Sequence, residues 1–168
     1  MQSETAGQAN AARAAWMRVM ALAQSDALDA AYSQLCQLGQ LGTAAALPGY
    51  RLLRKPESGM AMVRARAGGT GAQFNLGEMS VTRCAVVLDE TQGQPATAGV
   101  AYVQGRGTRH AEQAAVLDAL LQLPAWHQRV MDIVIAPLER ALAERATRQA
   151  ATAAQTRVEF FTMVRGED

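Results

Sequence analysis

Two strand-like runs meet across a glycine-rich turn in RARAGGTGAQFNLGEMSVTRCAVVL (Arg64–Leu88), and this segment constrains the fold more than any other. Before the turn, alternation puts Met60, Met62, Arg64 and Arg66 on one face and Ala61, Val63 and Ala65 on the other. Gly68, Gly69 and Gly71 supply the backbone freedom that a reversal needs. After it, Asn75, Glu78, Arg83 and Cys84 enter a run that closes on apolar CAVVL. Burying a polar group without a partner costs on the order of 1–3 kcal/mol. The segment therefore lies at a recognition surface or has specific partners for its polar groups.

The flanking sequence supplies the layers around it. Residues 1–10 are polar and expected to be flexible. Trp16, Val19, Met20 and Ala23 recur at helical spacing within a strong helix-forming stretch. Ser25 and Asp26 read as the cap and first turn of a second helix, which would bury Leu28, Ala31, Tyr32, Leu35 and Leu38 and stop at Gly39. These give a helical hairpin over 11–39. A sheet is expected over 48–105: a strand Tyr50–Lys55, a tight turn Pro56–Gly59, a returning strand Met60–Arg66, an extended segment to Leu88, a polar turn over 89–97 and a strand Gly99–Gly105. Helices come next over 108–155, with Thr108 as N-cap, Pro124 opening the second and Pro137 kinking or breaking it. The tract 141–156 reads as a solvated helix end. RVEFFTMV at 157–164 reads as a last strand. The expectation is a single α+β domain over 1–168: N-terminal helical hairpin, mainly antiparallel sheet, C-terminal helices and a final strand.

Composition removes several function classes. The chain has 168 residues, 49% hydrophobic and 18% charged, which is ordinary for a globular domain able to bury a core. A net charge of +1 gives no broad electrostatic case for nucleic acid or an anionic membrane. No run of about 18 apolar residues offers a membrane span. The first residues lack the basic-then-apolar pattern of a signal peptide, and Cys36 and Cys84 alone make no disulfide framework. The expected location is the cytoplasm.

The chemical motifs thin out on inspection. A dinucleotide fingerprint would need glycine where Phe74 stands, and a Walker loop would need lysine after Gly77, where Glu78 stands. The glycine loop could still present N–H groups to an anion, although a turn needing positive φ is the commoner use. Cys84 as nucleophile with His110 or His127 as base has no supporting local spacing, and a small buried thiol fits CAVVL better. His110 and Glu112 point to different sides of a helix, and no zinc spacing exists. His110, near a helix N-terminus, reads as a surface or capping-region residue. Arg64, Arg66 and Arg83 would gather guanidinium groups on one sheet face if their strands pair suitably, with Glu78 as a local neutraliser. The candidate partner- or anion-binding residues are therefore Arg64, Arg66, Gly69, Gly71, Asn75, Glu78, Arg83, Cys84 and His110. At the C-terminus, Phe160 and Phe161 point to opposite faces, so Phe160, Phe161 and Met163 suit a strand covered on both sides, by its own helices or by another chain. No catalytic residue and no metal site is assigned.

Three long stretches resemble one family: RLLRKPESGMAMVRARAGGTGAQFNLGEMSVTRCAV, AYVQGRGTRHAEQAAVLDALLQ and the ending TRVEFFTMVRGE. They are similar to the PhnG family, the small subunits of the bacterial phosphonate carbon–phosphorus lyase core complex, and the likeness runs from the first helix to the C-terminus. Gln73 and Gly107 depart from the proline and aspartate usual there. The resemblance implies an obligate hetero-oligomer with the H, I and J subunits, and the L protein for the transfer step. It implies a part in transferring the ribose triphosphate moiety of ATP to a phosphonate with release of adenine. ATP and phosphonate would be substrates of the complex, with no cofactor bound by this chain and no catalysis by it alone. Two other readings stand beside this one: a phosphate- or nucleotide-binding module within that complex, and a free-standing cysteine-dependent enzyme.

Overall fold

The structure is a computed structural model that describes residues 2–40, 47–67, 70–90 and 95–155. Two helices lead, α1 (Gln2–Leu22) and α2 (Ser25–Gln40). Strands β1 (Tyr50–Arg66), β2 (Gln73–Leu88) and β3 (Ala98–Gln104) then form a three-stranded antiparallel sheet in the order β1-β2-β3. Helix α3 (Thr108–Leu121) returns across it, followed by α4 (Pro124–Val130), a π-helical turn at Met131–Ile135 and α5 (Ala136–Gln155). The fold is α+β. The 157–164 run lies outside the described residues.

The core sits between α3 and one face of the sheet. Ala111, Ala114, Ala115 and Ala119 are buried along α3, and their small side chains let the helix approach the strands closely. At Gly99 the approach is so close that a Cβ would stand 2.0 Å from the Ala115 carbonyl oxygen. On the strands, Cys84, Val86, Leu88, Ala101 and Val103 are buried, while Trp16, Val19 and Met20 of α1 and Leu28, Ala31 and Leu35 of α2 close the sides. The helical face read from the sequence is the buried one.

Several expectations are corrected. α1 begins at Gln2, not Ala11, because a helix once nucleated propagates cheaply through a stretch without proline. Pro56–Gly59 is not a turn. β1 runs through it as one 17-residue strand, with register shifts between Leu52 and Arg54 and between Arg54 and Glu57. Proline is tolerated there because β1 is an edge strand and the irregularity leaves no ladder bond for its missing N–H. Thr108 is the first helical residue; Gly107 occupies the cap position without a side-chain cap bond. Ser25 does not serve only as a helix start, since its hydroxyl meets His110 Nδ1 at 3.2 Å. Pro137 is the second residue of α5, so the break foreseen there takes the form of the π-helical turn Met131–Ile135 just before it, and the helix continues through the proline.

Candidate interaction surface

β2 pairs with β3 only over Val81–Val87, whereas its pairing with β1 continues out to Gln73↔Arg66. Among the described residues, 59–66 and 73–80 therefore form a two-stranded arm about 25 Å long, at roughly 3.3 Å per residue. The buried face of β2, carrying Thr82, Cys84, Val86 and Leu88, continues along the arm as Ser80 and Glu78, opposite Met60 and Met62. The other face carries Ala61, Val63 and Ala65, with Phe74 opposite Ala65. A register shift between Val63 and Arg64 leaves Leu76 without a partner residue. Met60 is 59% exposed, Met62 50%, Phe74 45% and Leu76 63%, so both faces of the ribbon present apolar bulk to solvent.

At the base of the arm, the helix-free face of the sheet holds a shallow groove of about 370 Å³, lined by Glu57–Ala61, Val81, Arg83 and Tyr102. Glu57 accepts from Arg54 at 2.5 Å and from Arg83 at 2.7 Å. These bonds, Arg54's first, hold its carboxyl below the usual carboxylate value. Tyr102 stands opposite Arg83 on β3 and is 57% exposed. The groove is thus a neutralised polar patch beside an apolar arm.

The arginines expected to converge do not. Arg83 pairs across the sheet with Glu57, while Arg64 lies opposite Asn75 and Arg66 opposite Gln73. From Arg83 to Asn75 along β2 is about 26 Å at the strand rise. Arg66 Nη1 donates to the Gly71 carbonyl at 3.0 Å, which ties the turn to its own strand. Gly71 N–H donates to the Ala67 carbonyl at 3.1 Å, and a Cβ at Gly71 would sit 2.8 Å from that oxygen. That glycine closes the turn. Glu78 lies opposite Met62 and forms no ion pair with the described residues; Glu57 takes the neutralising part foreseen for it. Gly69, Phe160, Phe161 and Met163 lie outside the described residues.

Cys84 and His110 have structural surroundings. The Cys84 thiol is buried, donates to the Arg54 carbonyl at 3.4 Å, and is pushed up in pKa mainly by burial and then by Glu112. A thiol so placed is protonated at neutral pH, not a poised nucleophile. His110 lies in the first turn of α3, as expected of a capping-region residue, but it is buried and not at the surface. Its Nε2 donates to the Met20 carbonyl at 2.7 Å while Nδ1 faces Ser25, so the ring clasps the α1–α2 corner onto α3. The imidazole is held there because the end of α1 leaves carbonyls without helical partners.

The sequence reasoning missed the most connected polar group. Asp118 is fully buried and accepts from Arg13 Nε at 3.1 Å, Arg13 Nη2 at 2.7 Å, Trp16 Nε1 at 3.0 Å and the Val100 N–H at 2.9 Å. It joins α1, β3 and α3. A signal existed, a lone carboxylate inside the apolar run AAVLDALL. Among the described residues, no group of three or more His, Cys, Asp or Glu could hold a metal ion, and no helix is long and apolar enough to cross a membrane.

The class these features define is a small α+β protein whose buried side-chain polar groups, among the described residues, are satisfied internally and whose distinctive surface is an apolar arm. The chain belongs to the PhnG family: the family described as "Phosphonate metabolism protein PhnG" matches residues 11–166. It is also 40% identical over 116 residues to the protein named "Alpha-D-ribose 1-methylphosphonate 5-triphosphate synthase subunit PhnG" of Rhizobium meliloti (strain 1021). That alignment covers 69% of this chain and 70% of the relative. The α+β architecture and the family implied by the sequence motifs are both borne out.

Proposed function

We propose that this chain is a subunit of the transferase complex that moves the ribose triphosphate moiety of ATP onto a phosphonate, with loss of adenine. The observation that carries this is the relative, itself named as a synthase subunit. The role within the complex is to bind and shape a partner, and the arm is the surface offered for it. Its apolar residues on both faces fit a position between partner surfaces better than a position in water. The partners in this reading are the H, I and J subunits, with the L protein joining for the transfer step, and the setting is the cytoplasm, where ATP is available. The chain binds no cofactor of its own.

The test is release of adenine from ATP and methylphosphonate, measured for the purified chain alone and for the chain with its partner subunits. Release is expected only from the mixture. Robust turnover by the isolated chain would overturn the reading. Binding of ATP and methylphosphonate to the wild type and to Arg83→Ala addresses the anion-binding alternative. Equal, weak binding is expected, because Arg83 is already engaged by Glu57.

A further inference from the structure

The arm has an open lane along one edge. β3 stops at Gln104, opposite Val81, and the chain then turns away at Gly105, whose N–H donates to the Ser80 carbonyl at 2.8 Å. Gly105 takes a left-handed φ of 93°, the conformation that makes this sharp exit possible. Beyond Ser80, β2 has a strand neighbour among the described residues on the β1 side only. An isolated two-stranded ribbon is marginal in water, and an unpaired edge is a template for another strand.

The end of α5 is aimed along this lane. α1 and β3 run in the same direction, since Arg13 and Trp16 meet Val100 through Asp118 while Leu22 and Gln104 share a groove farther on. α5 runs the same way: Glu139 lines one groove with Trp16 and Val19, and Arg145 and Gln149 line the next with Leu22 and Gln104. Ala150–Gln155 carry the helix about 9 Å past Gln104 at 1.5 Å per residue. The chain therefore leaves α5 on the β3 side of the sheet, beyond the point where β3 ends, travelling toward the tip of the arm.

Shortly after α5 the sequence reads RVEFFTMV, an alternating run with apolar side chains on both faces. It is about as long as the vacant stretch of β2, and its two-sided character matches a ribbon that is apolar on two sides. Continuing outward, it would run antiparallel to β2 without a crossover. We propose that residues 157–164 of this chain add as a strand along the open edge of β2 at residues 73–79, turning the arm into a three-stranded sheet.

The test uses the full chain, alone and then co-purified with its partner subunits. Hydrogen exchange of the amides at 73–79 is compared with that of a form ending at Gln155. The amides pointing away from β1 are expected to exchange roughly tenfold faster or more in the shortened form. A second measurement needs no truncation: Asn75→Cys is combined in turn with Glu159→Cys, Phe160→Cys, Phe161→Cys and Thr162→Cys under mild oxidation. Intrachain links at alternate positions are expected in the chain alone, and they decide the matter if the shortened form does not fold. The proposal is overturned if exchange is equal in the two forms. It is also overturned if links form only between two chains, or only once partner subunits are present, which would assign the edge to a second copy or to a partner's segment.

Discussion

The two halves of the β1–β2 ribbon make opposite use of the same strands. Near Leu88, β2 lies between β1 and β3 under α3, and its side chains alternate buried and accessible. Near Gln73 it has one neighbour strand among the described residues, and every residue from Gln73 to Glu78 is exposed. Polar satisfaction differs in the same way. In the covered half, Thr82 donates to the Gly105 carbonyl at 2.7 Å and Asp118 is saturated. In the arm, Met60, Met62, Phe74 and Leu76 stand in solvent. The contrast separates residues that make the fold from residues that the fold displays. It also predicts that substitutions in the two halves fail differently.

The largest effect is expected at Asp118. Asp118→Ala leaves the Trp16 and Val100 donors without their acceptor in a buried setting and the Arg13 guanidinium, itself 34% exposed, without its partner. The expected loss is on the order of 3–5 kcal/mol in denaturant unfolding of the isolated chain. A loss below about 1 kcal/mol would mean that the node is dispensable and that the covered half tolerates unsatisfied donors. Gly99→Ala comes next. Its added methyl meets the Ala115 carbonyl and the Ala119 nitrogen, so α3 must back away from β3. Overpacking of this kind costs about 1–3 kcal/mol, readable in the same unfolding curves.

Legibility in the sequence divides along the same line. Helices α1 and α2 announce themselves by the spacing of Trp16, Val19 and Met20 and of Leu28, Ala31 and Leu35, because burial on one helix face leaves a periodic trace. The hairpin is legible from its glycine turn and alternation. Pro56 misleads, because proline followed by Glu57-Ser58-Gly59 carries local turn chemistry, while the tertiary position on an edge strand decides the outcome. The arginine cluster fails for a related reason: side-chain alternation gives a face but not a distance along it, and register places Arg64 and Arg83 far apart. Asp118 escapes notice because its partners Arg13 and Trp16 are distant in sequence and Val100 offers only a backbone N–H. The open lane beside β2 depends on where β3 ends, which no local pattern states.

Titration sharpens the comparison at smaller amplitude. Burial, helped by Cys36 and Glu112, pushes the Tyr32 phenol up to about 12. Such a group contributes stability fully below the unfolded value near 10 and loses it as pH rises toward 12, because the unfolded chain ionises first. Unfolding free energy is therefore expected to decline between about pH 10 and 12, and Tyr32→Phe should flatten part of that decline. No difference between the two proteins would show that the phenol is solvated. At the arm's base the sign is reversed. Glu57 is held low by Arg54 and then Arg83, so its contribution is present above the ordinary carboxylate value and lost as pH falls through the folded one. Amide protection around 54–58, read as exchange relative to the intrinsic rate at each pH, is expected to fall as pH drops through the folded value, and less so in Glu57→Gln, which has already lost the ion pairs.

The smallest effect on the isolated chain, and the most telling one, belongs to the arm. Met60 and Met62 are at least half exposed, and the side-chain polar contact they make is a weak one, Ser80 Oγ to Met60 Sδ at 3.6 Å. Replacing both with serine removes little that the folded chain uses, so the unfolding free energy should move by no more than about 0.5 kcal/mol. If the arm is seated in a partner, the same change removes two side chains from a buried contact. Burial of each is worth about 1.5–3 kcal/mol, which corresponds to a weakening of roughly a hundredfold or more in partner binding. Measuring both quantities on one protein separates the alternatives. Lost stability would mean that the methionines pack within this chain and that the two halves are less different than they look. Unchanged stability with unchanged assembly would remove the arm from the interface. Only unchanged stability with weakened assembly keeps the distinction between a half that holds the fold and a half that the fold presents.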